Sequence, residues 1–320
     1  MKLIAAFFKL IRWPNLFFII LTQFVFYFAI VPSVYFSEAS LNFDITQLNL
    51  RFYLLVFSSV AIAAAGYIIN DYFDLQIDGI NKPDKIVVDV IIKRRAAIIW
   101  HFALSFLGIV GSFIVSYKSK NWVIVLANVL CVILLWFYST HFKKKLLIGN
   151  IVISALTAWV ILVIYFYVGA NLFLIKGWDF SSHPFNVKLL YKLTTLYAGF
   201  AFNISLIREI VKDMEDMQGD ANYNCKTMPI VLGLPVAKMF VAVWIFFCVA
   251  VLLIIDVYAW QSGLRVSALY SVACIVVPLV IILKKMNTAN EKKSFHQISN
   301  ALKWVMLMGI LSMLFFKFHI

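Results

Sequence analysis

Seven stretches of this chain run for 17 to 30 residues without a charged side chain: Trp13–Ser37, Phe52–Asn70, Ala96–Tyr117, Asn121–Phe142, Leu146–Ile175, Met239–Ile255 and Val266–Leu283. A hydrocarbon layer about 30 Å thick takes about 20 apolar residues of helix to cross. Inside it no water satisfies backbone polar groups, so continuous apolar runs of this length must be helical. Two shorter runs, Leu193–Ile207 and Trp304–Phe316, reach across if Lys192, Arg208 and Lys303 extend their charged ends to the interface. The expectation is an all-α polytopic membrane protein with nine transmembrane helices. With 63% apolar and 13% charged residues, the composition has no room for a sizeable soluble domain, so residues 1–320 are read as one membrane domain.

Nine crossings put the termini on opposite faces, and basic residues should then divide unevenly between alternate connectors. Twenty Lys and Arg residues fall on the side of the N terminus and eight on the other. That asymmetry predicts a cytoplasmic N terminus in a cell or inner membrane. It also accounts for the formal charge of +13, which topology and anionic lipid explain without nucleic acid. Residues 2–12 lack the cleavage site of a signal peptide and are expected to form an interfacial amphipathic helix with Lys2, Lys9 and Arg12 toward water. Cys131, Cys225, Cys248 and Cys274 show no CxxC spacing and read as packing residues.

Acidic residues are scarce, and two connectors on the predicted cytoplasmic side hold 10 of the 15. After the stretch Phe52–Asn70 come Asp71, Asp74 and Asp78; after the short run Leu193–Ile207, sixth of the nine expected helices, come Asp213, Asp216 and Asp220, at the same i, i+3, i+7 spacing. If each helix continues past the membrane surface, three carboxylates share one face over two turns and repel one another unless a cation sits among them. One such cluster is as readily a solvated helix end. Two of identical spacing, on one side and each directly after an apolar helix, point to a site. Oxygen donors without His or Cys favour a hard cation, Mg2+ or Mn2+ rather than zinc, and Mg2+ is usually shared between carboxylates and substrate phosphate. Asn70, Lys82 and Lys85, then Lys143 and Asn150, and Arg208 and Lys212 lie close in sequence and suit a diphosphate.

The segments "NDYFDLQID" with "NKPDK", "YSTHFKKKLLIGN" at 138–150, and "REIVKDMEDMQGD" followed by "KTMP" resemble the UbiA superfamily of intramembrane prenyltransferases. The resemblance implies nine helices whose loops after the second and sixth form cytoplasmic caps over a central cavity. It implies Mg2+ and diphosphate sites at Asn70, Asp71, Asp74, Asp78 and at Asp213, Asp216, Asp220, with Lys143 and Arg208 or Lys212 on the diphosphate. Tyr138 and Asn150 match motif positions facing the cavity; as an interfacial aromatic and a helix-start residue they also have structural readings. "KIVVDVII", residues 85–92, departs from the family pattern, and its lysine lacks the bidentate fork of an arginine, which puts Lys85 in doubt.

The implied reaction is Mg2+-dependent transfer of a long isoprenyl group, geranylgeranyl first, from its diphosphate to a lipophilic acceptor. The motif wording favours the branch whose acceptor is a prenylated glycerol phosphate. An aromatic quinone precursor of the hydroxybenzoate, dihydroxynaphthoate or homogentisate type is the alternative. No protein partner is expected. A cation transporter would keep its acids within the spans, facing a pore; here they gather at the ends.

Overall fold

The computed structural model describes residues 2–34, 45–83, 86–176 and 186–319. In chain order the helices are α1 (Lys2–Leu10), α2 (Trp13–Val25), which runs through a π turn at Phe26–Ile30 into α3 (Val31–Ser33), α4 (Ile45–Phe73), α5 (Leu75–Asn81), α6 (Arg94–Ser119) and α7 (Trp122–Thr140). They continue with α8 (Ile148–Lys176), α9 (Val187–Asn222), α10 (Met228–Val231), α11 (Leu234–Gln261) and α12 (Arg265–Ser271), then a π turn at Val272–Val276, α13 (Val277–Thr288) and α14 (Lys292–Ser312). Proline stands in the first turn of α2, α10 and α11, where its missing N–H costs nothing.

Eight helical segments among the described residues are long and apolar enough to cross a membrane, from Trp13–Ser33 to Lys292–Phe316. Each of the seven long stretches corresponds to one of them, and so does the short run Trp304–Phe316, whose helix begins twelve residues earlier at Lys292. The remaining short run, Leu193–Ile207, lies in α9, a 36-residue helix whose C-terminal half carries the second acidic cluster.

The chain divides into two compact units. In the first (Met1–Tyr27, Val34–His141 and Val160–Thr194), α4 packs along α6 through small residues. A side chain at Gly108 would strike Ile62 and the Ser58 carbonyl, so glycine there lets the two backbones approach. Hydrogen bonds cross the apolar interior of this unit. Asn128 Nδ2 donates to Ser112 Oγ at 2.7 Å, His101 Nδ1 to the Ala65 carbonyl at 2.9 Å, and Gln23 Nε2 to Ser59 Oγ at 3.0 Å.

The second unit (Phe28–Ser33, Phe142–Trp159 and Thr195–Ile320) has its core where Ile207, Ile210 and Val211 of α9 meet Val241 and Ile245 of α11, Leu279 of α13 and Phe295, Ile298 and Leu302 of α14. All of these are nearly or fully excluded from solvent. They fix the rotation of α9, and hence the direction of its acidic face.

The valine-rich segment that departs from the family pattern has a packing reason. Residues 86–92 fold into a tight turn, with the Asp89 and Ile92 amides donating to the Ile92 and Val87 carbonyls at 2.8 and 3.1 Å. Val87, Val88 and Ile92 are buried against Ala6 and Leu10 of α1 and Ala64 and Ile68 of α4. Hydrophobic side chains stand there because they are the core of a small cap within the first unit. Lys85 lies outside the described residues.

Candidate functional site

The first acidic set sits where α4 ends. The helix does not run on unbroken: it is interrupted at Asp74 and resumes as α5. The ladder bridges the break, since the Asp74 amide donates to the Asn70 carbonyl at 2.9 Å and the Asp78 amide to the Asp74 carbonyl at 2.8 Å. Asn70, Asp74 and Asp78 therefore succeed one another at four-residue steps along one side. Asp74 is almost fully buried and accepts from Asn70 Nδ2 at 2.6 Å. Asn70 Oδ1 is buried with no hydrogen-bond partner among the described residues. A buried acceptor left in that state costs about 1–3 kcal/mol unless something binds it. Lys82 closes α5, its amide donating to the Asp78 carbonyl at 2.7 Å.

Asp71 is engaged differently. Arg12 Nη2 donates to its Oδ1 at 2.6 Å, and the same guanidinium lies 5.2 Å from the centre of the Tyr67 ring. Sequence separation hid this pair, 59 residues apart. Tyr138 lies half-buried near the end of α7, in the same unit.

The second set matches the expectation of an uninterrupted helix: Asp213, Asp216 and Asp220 share one face of α9. Asn150, in the first turn of α8, donates Nδ2 to Asp213 Oδ2 at 2.9 Å. Burial pushes the Asp213 carboxyl up to about 8; the Asn150 hydrogen bond opposes this, Asp220 and Glu209 reinforce it, and Lys143 opposes it. A carboxyl pushed up mainly by burial marks a place shielded from water, where a bound cation would favour the charged form. Lys143 stands in a 3₁₀ turn, Phe142–Lys144, and the Lys226 amide ties the chain beyond α9 to the Lys144 carbonyl at 2.9 Å.

Glu209, one turn before Asp213, has no counterpart among the expected site residues. Its Oε1 accepts from Arg208 Nη1 at 3.2 Å and from Lys212 Nζ at 2.6 Å, so both cations expected at a diphosphate converge on a carboxylate of their own helix. Arg208 Nε is buried with no partner among the described residues. Glu215 accepts from His296 Nδ1 of α14 at 2.9 Å, which pins the outer side of the acidic helix.

Among the described residues no three carboxylate, imidazole or thiol groups are gathered closely enough to enclose a metal ion by themselves. The donor set fits a hard divalent ion nonetheless. In each unit taken by itself the donors are oxygen: in the first, Asn70 offers an acceptor without a partner among the described residues, and in the second, burial holds the Asp213 carboxyl up despite Lys143. Mg2+ keeps several waters and takes one or two carboxylates plus phosphate oxygens, so it does not require a protein cage.

Eight described helices long and apolar enough to cross a membrane define the chain as a polytopic membrane protein. The chain belongs to the UbiA prenyltransferase family, whose model matches residues 24–307, and it is a prenyltransferase. It is similar to a digeranylgeranylglyceryl phosphate synthase of Methanobrevibacter smithii, 27% identical over 78% of this chain and 81% of that protein. It is also similar to one of Saccharolobus solfataricus, 30% identical over 80% and 83% of the two chains. A solved structure of a UbiA homologue from Archaeoglobus fulgidus bound to GPP and Mg2+ has the same fold, with a TM-score of 0.57 at 15% identity, covering 96% of this chain and 99% of that one.

Proposed function

We propose that this protein transfers a geranylgeranyl group from its diphosphate to the free hydroxyl of a prenylated glycerol phosphate. The observation that carries this reading is the similarity, over about four fifths of each chain, to digeranylgeranylglyceryl phosphate synthases. The structure of a relative with GPP and Mg2+ supports an isoprenyl diphosphate as donor.

In this reading Asp74 and Asp78 with Asn70, and Asp213, Asp216 and Asp220, hold Mg2+ on the diphosphate. Bound there, Mg2+ offsets the charge that develops on the departing diphosphate. Lys143, Arg208, Lys212 and Lys82 add fixed positive charge, with Lys85 a further candidate from the sequence. Asn150 orients Asp213, and Asn70 orients Asp74. No covalent nucleophile on the protein is needed: once the allylic carbon–oxygen bond lengthens, the acceptor oxygen attacks that carbon as the diphosphate leaves, and its proton passes to the departing diphosphate or to water. The positive-inside bias places both acidic ends at the cytoplasmic surface of the cell membrane. Leu193–Ile207 of α9 then serves as the sixth crossing in chain order, which brings the number to nine and puts the C terminus on the opposite side. The chain acts as a single domain.

The deciding experiment incubates purified protein with Mg2+, geranylgeranyl diphosphate and a panel of acceptors, and reads products by mass spectrometry. The expected product is the twofold prenylated glycerol phosphate. A prenylated hydroxybenzoate, dihydroxynaphthoate or homogentisate in its place overturns the choice of acceptor. Mg2+-independent product overturns the role of the carboxylates.

The Arg208–Glu209–Lys212 trio gives a separate check. Glu209→Gln keeps an acceptor oxygen but removes the negative charge that faces two largely buried cations, and should destabilise the fold by about 1–3 kcal/mol, read as a lower melting temperature. Added Mg2+ and pyrophosphate should then raise the melting temperature further in the variant than in the wild type, because the competing carboxylate is gone. Equal shifts would mean that the trio does not face the diphosphate.

A further inference from the structure

We infer that Asp71 is the anchor of the N-terminal helix, held by Arg12, rather than one of the metal ligands. The inference concerns a carboxylate of the site read above and rests on that reading only for its activity measurements.

The joint between α1 and α2 is Arg12, whose φ of 50° puts a non-glycine residue in the left-handed region. A residue persists there only when its surroundings hold it. The holding groups are visible. Arg12 donates to Asp71 at 2.6 Å and lies over the ring of Tyr67, which stands one helical turn before Asp71 on α4. On the preceding helix Ala6 and Leu10 are buried in the cluster with Ala64 and Ile68 of α4 and with Val87, Val88 and Ile92 of the cap. Phe7 adds a ring contact to Trp100 of α6 at 5.0 Å. The apolar contacts hold α1 against the acidic end of α4, and the ion pair fixes its last residue. The side chain of Asp71 is 19% exposed and that of Arg12 36%, so the pair is shielded on its carboxylate side and open to solvent screening on the other.

The same geometry argues against a metal on Asp71. Its Oδ1 already receives a charge-assisted hydrogen bond, and a divalent ion on that carboxylate would stand within a few ångströms of the guanidinium, cation against cation. Asp74, by contrast, is buried beside an amide whose oxygen has no partner. Arg12 is on this account a positioning residue: it sets where α4 ends and therefore where Asn70, Asp74 and Asp78 begin.

The test is a double-mutant cycle on the full chain in lipid nanodiscs, comparing the wild type, Arg12→Gln, Asp71→Asn and both together. Melting temperatures are measured without donor or metal, and transfer is measured against Mg2+ concentration. Each single change should lower the melting temperature and slow transfer roughly tenfold, and the double variant should be no worse than the weaker single one. The Mg2+ concentration for half-maximal rate should stay within about twofold across all four, while Asp74→Asn, run as a ligand control, raises it about tenfold or more. Additive losses in melting temperature overturn the latch. So does an increased Mg2+ requirement for Asp71→Asn alone, or a raised KM for the diphosphate in Arg12→Gln alone. Should the wild type transfer no prenyl group, the functional reading fails, and the melting cycle still decides between coupling and independence of the two residues.

Discussion

Asp213→Asn abolishes transfer, leaving about one thousandth of the wild-type rate or less, because an amide neither carries the charge that draws a divalent ion nor leaves Asn150 orienting a carboxylate. The pH dependence of stability gives this prediction a signature that simple misfolding would not produce. Burial, with Asp220 and Glu209 adding to it, pushes the Asp213 carboxyl up to about 8. The folded chain therefore keeps a proton that the unfolded chain has lost at neutral pH. Stability from this group is fully present below the ordinary carboxylate range and declines as pH rises through about 8. The metal-free wild type should accordingly lose melting temperature between pH 6 and pH 8.5, and Asp213→Asn should lose less. Mg2+ with pyrophosphate binds the ionised carboxylate and displaces its proton, so it should stabilise the wild type more at pH 8 than at pH 6. It should do little for the variant at either pH. A wild type whose response to Mg2+ and pyrophosphate is the same at both pH values would remove Asp213 from the metal site.

The elements legible in the sequence are those set by local periodicity. The run Met239–Ile255 lies within α11, Leu234–Gln261, and the i, i+3, i+7 spacing of Asp213, Asp216 and Asp220 is realised on one helix, because both follow from 3.6 residues per turn. The partners of the site residues were not legible, because they are brought together by packing over long separations. Arg12 meets Asp71 across 59 residues and Asn150 meets Asp213 across 63. Pro14 did carry a local signal, since proline in the first turn of α2 places the helix boundary at Arg12. The interruption at Asp74 has no breaker residue to announce it, neither Gly nor Pro standing within three positions. Glu209 looked like one more acid on a charged helix. Its contacts to Arg208 and Lys212 lie within α9, and the i, i+3 spacing to Lys212 was already present in the sequence. The valine-rich segment 86–92 looked like a departure from pattern because its burial depends on α1, some 80 residues earlier.

Gly149→Ala should slow transfer by about tenfold to a hundredfold, although the added methyl group touches neither carboxylate nor cation head. A Cβ at Gly149 would stand 3.0 Å from the Cα of Lys143 and 3.0 Å from the Phe142 carbonyl oxygen, with the Lys143 amide nitrogen at 3.3 Å. These are backbone atoms, which cannot swing aside as a side chain does, so either the 3₁₀ turn or the start of α8 must shift. Both carry site residues: the turn presents Lys143, and α8 presents Asn150, the very next residue, to Asp213. The room to adjust is small, since Leu147 before α8 already adopts φ of 59° and the turn is tied to Lys226 beyond α9. Gly199→Ala is the matched control: it stands exposed on α9 with nothing within 4 Å of its added Cβ, and the change should be neutral or stabilising by about 0.5–1 kcal/mol. If displacement of Lys143 is the cause of the Gly149→Ala loss, then Lys143→Gln, harmful alone, should add little in that background. Independent, multiplying losses would instead trace the effect to the Asn150 side of the contact, and a Gly149→Ala variant as active as Gly199→Ala would mean that the turn yields without moving its lysine.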